Sequence, residues 1–512
     1  MLIKVFGAAV QGIDAYVVTV EASTSRGIRF FLVGLPDSAV KESHERIVSA
    51  FQANGYKFPS CQIIINMAPA DIRKEGAAYD LPLAIVIMAS AGEVSTCMLD
   101  DYIIMGEMGL DGTLQPVRGA LSMAIKARSE GFKGIILPTQ NAPEAAVIEG
   151  LEVYGARNLR EVVDLLNERP GHIGTLEKPA WAGTAQSEAY KADFADVKGQ
   201  NSVKRALEVA AGGGHNLIMI GPPGSGKSMM ARAMPSILPP LTEDESIETT
   251  RIHSVAGYTG HGASLITERP FRHPHHTITN VALTGGGNNG QPGEISLAHN
   301  GLLYLDELPE FTRSALEVLR QPLEDRTIVI SRAKYRVEYP ASFMLVASMN
   351  PCPCGYYNHP TKECHCSPPM IERYLGRVSG PLMDRFDIQC EILPVGFDDM
   401  SSDEKSETSA QIRERVIRVR GVQADRFRDE KGIYCNAQMD SRLLHRYAKA
   451  EPAAIRMLGE AMNRLNLSAR AYDRILKVAR TIADMDLSES IRSQHIAEAI
   501  GYRSLDRASW GK

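Results

Sequence analysis

The sequence predicts a multidomain α/β chain, and three observations carry that expectation. Its 512 residues, 44% hydrophobic and 23% charged with a net charge of −5, are enough for roughly three globular domains. From about residue 194 to 395, apolar segments alternate with stretches of helical period, the pattern of a parallel sheet covered by helices. Within that region GPPGSGKS follows the apolar run HNLIMI and opens a helical segment. The same composition excludes collagenous and disordered chains. Eight cysteines are too few for a secreted disulfide scaffold. Aromatics at 6% argue against an open base-stacking platform, and the acidic balance means that any nucleic-acid contact must come from local patches. The longest apolar run, residues 81–91, is far short of the ~20 residues a spanning helix needs. The first residues carry Asp14 and Glu21 in an alternating pattern unlike a signal peptide, so a cytoplasmic protein with no membrane partner is expected.

Four regions separate along the chain. Residues 1–168 mix short strands with helices: RGIRFFLVGLPD, CQIIINMAP and GFKGIILP read as strands, and SAVKESHERIVSAFQANG as a helix that Gly55 stops. Residues 169–193, rich in proline, glycine and small polar residues with Trp181 as their large apolar anchor, read as a linker. Residues 194–395 form the predicted α/β core. Residues 396–512 read as helices, among them QIRERVIRVRGVQADRF and AAIRMLGEAMNRLNLSARAYDRILKVARTIADM. No repeat of solenoid period is present.

Gly221, Pro222, Pro223, Gly224, Ser225, Gly226, Lys227 and Ser228 match GxxxxGK[ST] in full, in the strand-to-helix context of a phosphate-binding loop. Glycines let successive backbone N–H groups wrap the phosphates of ATP, and the helix N-terminus adds its dipole. Lys227 is expected to neutralise the β- and γ-phosphate oxygens, and Ser228 to hold Mg²⁺. GLLYLDE supplies the partner: an apolar strand ending in Asp306 and Glu307 brings two carboxylates to the C-terminal edge of the sheet, where α/β sites lie. Asp306 is expected to bind Mg²⁺ through water, and Glu307 to polarise the attacking water. A further strand, SFMLVASMN, ends in Asn350, whose amide can orient water against the γ-phosphate. GPLMDRFD offers Arg385, and LSARAYDR offers Arg470 on a helix.

That order of motifs resembles a AAA+ ATPase of the helix-2-insert branch. FRHPHHTITNVALTGGG, PGEISLAHNGLLYLDELPEF, MNPCPCGYY and LSARAYDRILKVARTIADM resemble more closely the magnesium-chelatase-like YifB/ComM family, across essentially the whole chain. The resemblance implies that Asn350 is sensor 1, Arg385 the arginine finger and Arg470 the sensor-2 arginine on a C-terminal helical lid. An arginine finger serves a neighbour's nucleotide, because a planar, permanently charged guanidinium suits charge spread over γ-phosphoryl oxygens. A homo-oligomeric ring, a hexamer by family similarity, is therefore expected. The competing reading of Arg385 is an in-chain ion pair with Asp384 or Asp387.

EDRTIVISRAKYRVEY reads as strand, polar tip, strand, with Arg332, Lys334 and Arg336 around the turn, and resembles the hairpin before sensor 1 that lines the channel of related rings. Copies around a ring would concentrate positive charge, with nucleic-acid phosphates as the natural ligand. RPFRHPHHTITNVALTGGGNNGQPGE resembles the helix-2 insert, and its His273, His275 and His276 read as loop or nucleic-acid contacts rather than metal ligands.

In the first region IRKEGAAYDLPLA and GEMGLDGTLQPVRGALSMAIKARSEGFKGIILP resemble the Lon-protease-like domain, a variant of the ribosomal S5 domain 2 α+β fold. That family uses a Ser–Lys dyad. Here Ala78 stands where the serine should be and Leu121 about where the lysine should be, with Ser122 and Lys126 nearby. Without an oxygen nucleophile or amine base, covalent peptidase chemistry has no machinery. An inactive module for assembly or DNA engagement is expected.

Cys352, Cys354, Cys364 and Cys366 form CxC-x9-CxC, with His359 and His365 inside the loop. Paired thiolates closing a polar loop suit tetrahedral Zn²⁺, and four reduced thiols remain the alternative. The resulting expectation is an ATP-hydrolysing ring motor acting on single-stranded or branched DNA, a helicase or branch-migration factor in recombination or transformation. The alternative is a chelatase-type or chaperone-like motor that remodels a protein partner.

Overall fold

The computed structural model describes residues 2–72, 74, 76–179, 192–259, 264–287, 290–332, 335–394, 406–465 and 467–503. Trp181 with the rest of residues 180–191 of the expected linker, and the start of the region from 396, lie outside them. The N-terminal region is a seven-stranded mixed sheet in the order Phe30–Val33, Gln62–Ala68, Asp14–Ser25, Leu2–Gln11, Tyr102–Ile104, Gly134–Pro138, Glu152–Ala156. Leu2–Gln11 and Asp14–Ser25 form a long antiparallel hairpin closed at Gly12, where φ is +64°. Both strands alternate buried and exposed residues, as a half-covered sheet requires. The apolar run at 81–91 becomes the helix Asp80–Ser90, buried on nearly all sides. The helix expected over SAVKESHERIVSAFQANG breaks at Glu42 into Ser38–Lys41 and Ser43–Ala53.

The second sheet has five parallel strands in the order Phe271–Arg272, Leu302–Leu305, Met344–Met349, Leu217–Ile220, Ile388–Glu391. Its three central strands are buried at every residue, which is why they read as unbroken apolar runs: helices cover both faces. The segment RPFRHPHHT is partly misread as insert. Phe271–Arg272 pairs in parallel with Leu302 and Leu303 and belongs to the core sheet. The insert's own elements follow it, as the short helix Asn280–Thr284 and the ladder between Gly285–Gly286 and Gln291–Pro292.

The C-terminal region is helical: Ser409–Arg426, Ser441–Tyr447, Pro452–Leu465, Ala469–Met485 and Ser493–Gly501. Ser468 caps Ala469–Met485 by accepting from the Ala471 N–H, which restarts the helix after Leu465. These helices pack where the core strands begin. His215, just before Leu217, lies 2.8 Å from Thr481, and Arg474 pairs with Asp387, just before Ile388. The N-terminal sheet meets the core at the hairpin turn, where Arg251 donates to the Ile13 carbonyl at 3.0 Å and lies 3.1 Å from Asp14.

Candidate nucleotide site

At the C-terminal edge of the core sheet the chain turns from Ile220 into a loop that ends in the helix Lys227–Ile237. Gly224 and Gly226 adopt φ of +77° and +87°, conformations that glycine alone takes without strain, and nothing lies within 4 Å of a Cβ built on Gly224. The Ser225 hydroxyl is buried without a hydrogen-bond partner. Lys227 folds back on the loop, donating to the carbonyls of Gly221 at 2.7 Å and Pro222 at 2.8 Å and to Asn350 Oδ1 at 3.2 Å. Burial lowers its ammonium to about 8, although Asp306 and Glu307 pull the other way. An open cradle, an unsatisfied hydroxyl and a cation resting on carbonyls together fit a triphosphate.

The Mg²⁺ ligands expected from sequence meet directly: Ser228 Oγ donates to Asp306 Oδ2 at 2.8 Å. Ser348 donates to the other oxygen of Asp306, and Tyr304 lies 3.0 Å from Ser348. Burial acts to raise Asp306, but the bonds from Ser348 and Ser228 hold it below the usual carboxylate range. Glu307 is exposed and left-handed (φ +52°), a strained conformation. His276 comes within 3.7 Å of that carboxylate, and His273 packs on Tyr304 with ring centroids 4.8 Å apart. The sequence reading did not place His276 beside Glu307 or His273 against Tyr304. The signal was their place just after a strand that ends at the same edge.

Arg385 and Arg470 are not brought to this edge. Arg385 lies just before Ile388, where the strand begins; it is 4% exposed and pairs with Glu324 at 2.5 Å. It also donates to the carbonyls of Arg320 and Pro381. The in-chain partner is therefore neither Asp384 nor Asp387. Asp387 is instead taken by Arg474, which also donates to the Arg385 carbonyl at 3.1 Å. Arg470, one helical turn before Arg474, is exposed beside a cleft of about 390 Å³. That cleft is also lined by Arg326, Arg420, Arg474 and Lys477. Among the described residues neither Arg326 nor Arg470 has a carboxylate ion-pair partner. Burial lowers both Arg326 and Lys477, so an anion in the cleft would relieve two desolvated cations.

Comparison with known proteins settles the family. A family profile described as magnesium chelatase, subunit ChlI, matches residues 193–400. The profile for subunit ChlI of Mg-chelatase matches 20–141, and that for the subunit's C-terminal part matches 406–503. The chain is 42% identical to YifB of Salmonella typhimurium over 507 residues, covering 98% of this chain and 96% of that one. It is 42% identical to competence protein ComM of Haemophilus influenzae over 506 residues, covering 98% and 97%. The chain belongs to the magnesium-chelatase-like YifB/ComM family of AAA+ ATPases. Over a shorter stretch, 27% of this chain and 25% of that one, it is 27% identical to Lon protease 2 of Bacillus subtilis. The family implies ATP and Mg²⁺ as substrate and metal. Among the described residues no helix is long and apolar enough to cross a membrane.

The basic hairpin forms, with Thr327–Arg332 paired antiparallel to Tyr335–Pro340. Lys334 lies outside the described residues. Arg332 and Arg336 are both exposed, yet they fall on opposite faces: Arg332 continues the row of Ile328 and Ile330, whereas Arg336 stands opposite Ser331. They are not one patch. The inner face is buried, with Tyr339 donating to the Gly290 carbonyl at 2.6 Å and Val337 packed on Gly12 of the N-terminal sheet.

In the N-terminal region Ala78 is half-buried and Leu121 buried. Ser122 is buried and donates to the Ile13 carbonyl at 2.5 Å, while Lys126 pairs with Glu130 at 2.5 Å on the surface. Both are engaged elsewhere, so neither supplies a dyad to Ala78. Lys74 is buried on the Pro69 carbonyl. The four clustered cysteines do converge, all Sγ atoms lying within 4.8 Å of one another. Hydrogen bonds from the Tyr356 N–H and the neighbouring thiols hold Cys354 down to about 6 against burial, which acts to raise it. Burial pushes Cys366 up. His359 accepts from the Thr361 and Lys362 N–H groups instead, and neither it nor His365 belongs to the cluster.

Proposed function

We propose that the chain is an ATP-driven motor that assembles as a ring, a hexamer by family likeness, and moves on single-stranded or branched DNA. The observation that carries the reading is the separation of charges across one sheet. Lys227, Ser228, Asp306, Glu307 and Asn350 share the C-terminal edge, whereas Arg385 and Arg470 lie at the other. Too remote to serve their own nucleotide, these arginines are useful to phosphate only on an adjacent copy. When bound, Mg²⁺ neutralises phosphate charge; Ser228 and Asp306 would hold it. Lys227 exchanges its loop carbonyls for phosphate oxygens. Glu307 accepts the proton of the attacking water, and Asn350 orients that water. Arg385 leaves Glu324 for the neighbour's γ-phosphoryl oxygens, and Arg470 joins it. In this reading the N-terminal domain is a Lon-like S5-type module without peptidase chemistry, and the four cysteines hold Zn²⁺.

Three features support DNA as the polymer: the exposed Arg332 and Arg336 on a hairpin, a cleft where Arg326 and Arg470 have no carboxylate partner among the described residues, and kinship with a protein named for competence. The chelatase-type reading, a motor that remodels a protein partner, is favoured by the family description alone. The deciding experiment is the ATPase rate with and without single-stranded and forked DNA, with Lys227→Ala as control. Stimulation and strand displacement are expected; the absence of both would leave the protein-remodelling motor.

A further inference from the structure

We infer that the four-cysteine metal centre is a strut that holds the phosphate-binding loop in shape, so that nucleotide affinity depends on a metal outside the ATP site. This rests on the zinc reading above and gives that zinc a task. The ligand geometry comes first. Cys352 and Cys354 sulfurs lie 3.4 Å apart, Cys354 and Cys364 3.6 Å, and Cys352 and Cys364 3.7 Å. Tetrahedral zinc with Zn–S bonds of ~2.3 Å sets its sulfurs about 3.8 Å apart. All four thiols are free, and a thiol is a weak hydrogen-bond partner, whereas a bound ion would give such a cluster strong bonds. Residues 353–367 contain no helix or strand, which leaves the metal as the element that folds them.

The folded loop presses on the ATP site. Gly355, between two turns of this loop at φ +83°, lies against Pro223 so closely that a Cβ there would stand 2.5 Å from its Cδ. The same Cβ would lie 3.8 Å from Asn350 Cγ. Pro222 and Pro223 have no N–H, so no backbone hydrogen bond of their own donation fixes this stretch; packing must. On the far side Gly221 is held as tightly, a Cβ there falling 2.5 Å from the Ile392 carbonyl. The phosphate loop is thus clamped between a sheet strand's end and the metal-folded loop. Cys352 adds a second link, two residues beyond the Asn350 that accepts from Lys227. Loss of the metal frees Gly355 and removes one wall of the clamp.

The test uses the full chain with Mg²⁺ present throughout. Metal content is measured by mass spectrometry, and binding of a fluorescent ATP analogue is followed before chelation, after it, and after Zn²⁺ is returned. One zinc per chain is expected, with affinity falling about tenfold on stripping and recovering on return. A chain without zinc overturns the metal reading underneath. A chain that holds zinc yet binds nucleotide equally well without it overturns the strut and leaves the metal reading standing. Gly355→Ala covers the case in which the stripped protein unfolds. It should keep its zinc and circular dichroism while binding the analogue about tenfold more weakly, and unchanged affinity there also overturns the strut.

Discussion

The two edges of the core sheet carry opposite chemistry, and the contrast explains how the site is built. Where the strands end, one lysine, two carboxylates and an amide gather around an open loop: Lys227 sits on loop carbonyls and Asn350, and Ser228 on Asp306. Where the strands begin, cations gather among carboxylates: Arg326, Arg420, Arg470, Arg474 and Lys477 line one cleft with Glu245, Asp387, Asp440 and Asp473, and Arg385 is buried beside it on Glu324. The first edge has the groups that would bind phosphate and activate water. The second has guanidinium groups and no phosphate loop. In a single copy the sheet keeps the two sets of groups apart.

The largest effect expected is at the cationic edge. Arg385→Ala should lower ATPase by about 10³–10⁵, and mixing it with Lys227→Ala should restore part of the rate, because some interfaces then hold an intact Arg385 facing an intact Lys227. Additive loss in the mixture would break the comparison between edges. Next, Glu307→Gln should cut turnover by about 10²–10⁴ while ATP affinity stays within about twofold, read by single-turnover kinetics and equilibrium binding. Retained turnover would move the base elsewhere, with His276 the nearest alternative.

Asp387→Asn tests whether the arginine edge is also structural. Asp387 is buried against Arg474, and losing its charge leaves that cation uncompensated, so urea denaturation should show a loss of about 3–5 kcal/mol. The same cluster sets a pH dependence. Burial lowers His215, whose Nδ1 lies 3.6 Å from Asp387, beyond hydrogen-bond reach. Burial acts to raise Asp387, but Arg474 and His215 hold it well below the usual carboxylate range. With both folded pKa values depressed, the unfolded chain binds more protons at acid pH. The stability these groups contribute is therefore complete above about pH 6.5 and is lost as pH falls, first through His215 and then, below about pH 4, through Asp387. The melting temperature should drop between pH 7 and 5, and His215→Gln should flatten that part of the curve.

The smallest effect sharpens the hairpin. Arg336→Ala and Arg332→Ala should weaken DNA binding unequally, each by a few-fold at most, because the two side chains occupy opposite faces. Equal losses in a salt-dependent binding assay would mean that the two faces meet the same strand.

Much of the acidic edge was legible because its chemistry is written in contiguous residues. GPPGSGKS and LLYLDE each carry strand, turn and functional group together, and a buried parallel strand has to read as an apolar run. Phe271–Arg272 escaped because two residues have no period to detect. Glu324 as the partner of Arg385, and Arg326 in the cleft, escaped because ion pairs join residues far apart in the chain and leave no spacing rule. The hairpin arginines were found, but pooling them ignored that a shift of one position along a strand changes the face.

By itself the sequence determined the phosphate loop, the carboxylate pair, the family and the four thiols, since each depends on residue types at short, fixed spacing. Only the tertiary structure decided which edge each arginine occupies, which side of the hairpin each basic residue takes, and that Gly355 rests on Pro223. Those are matters of distance between segments remote in the chain, and packing, not local propensity, sets them.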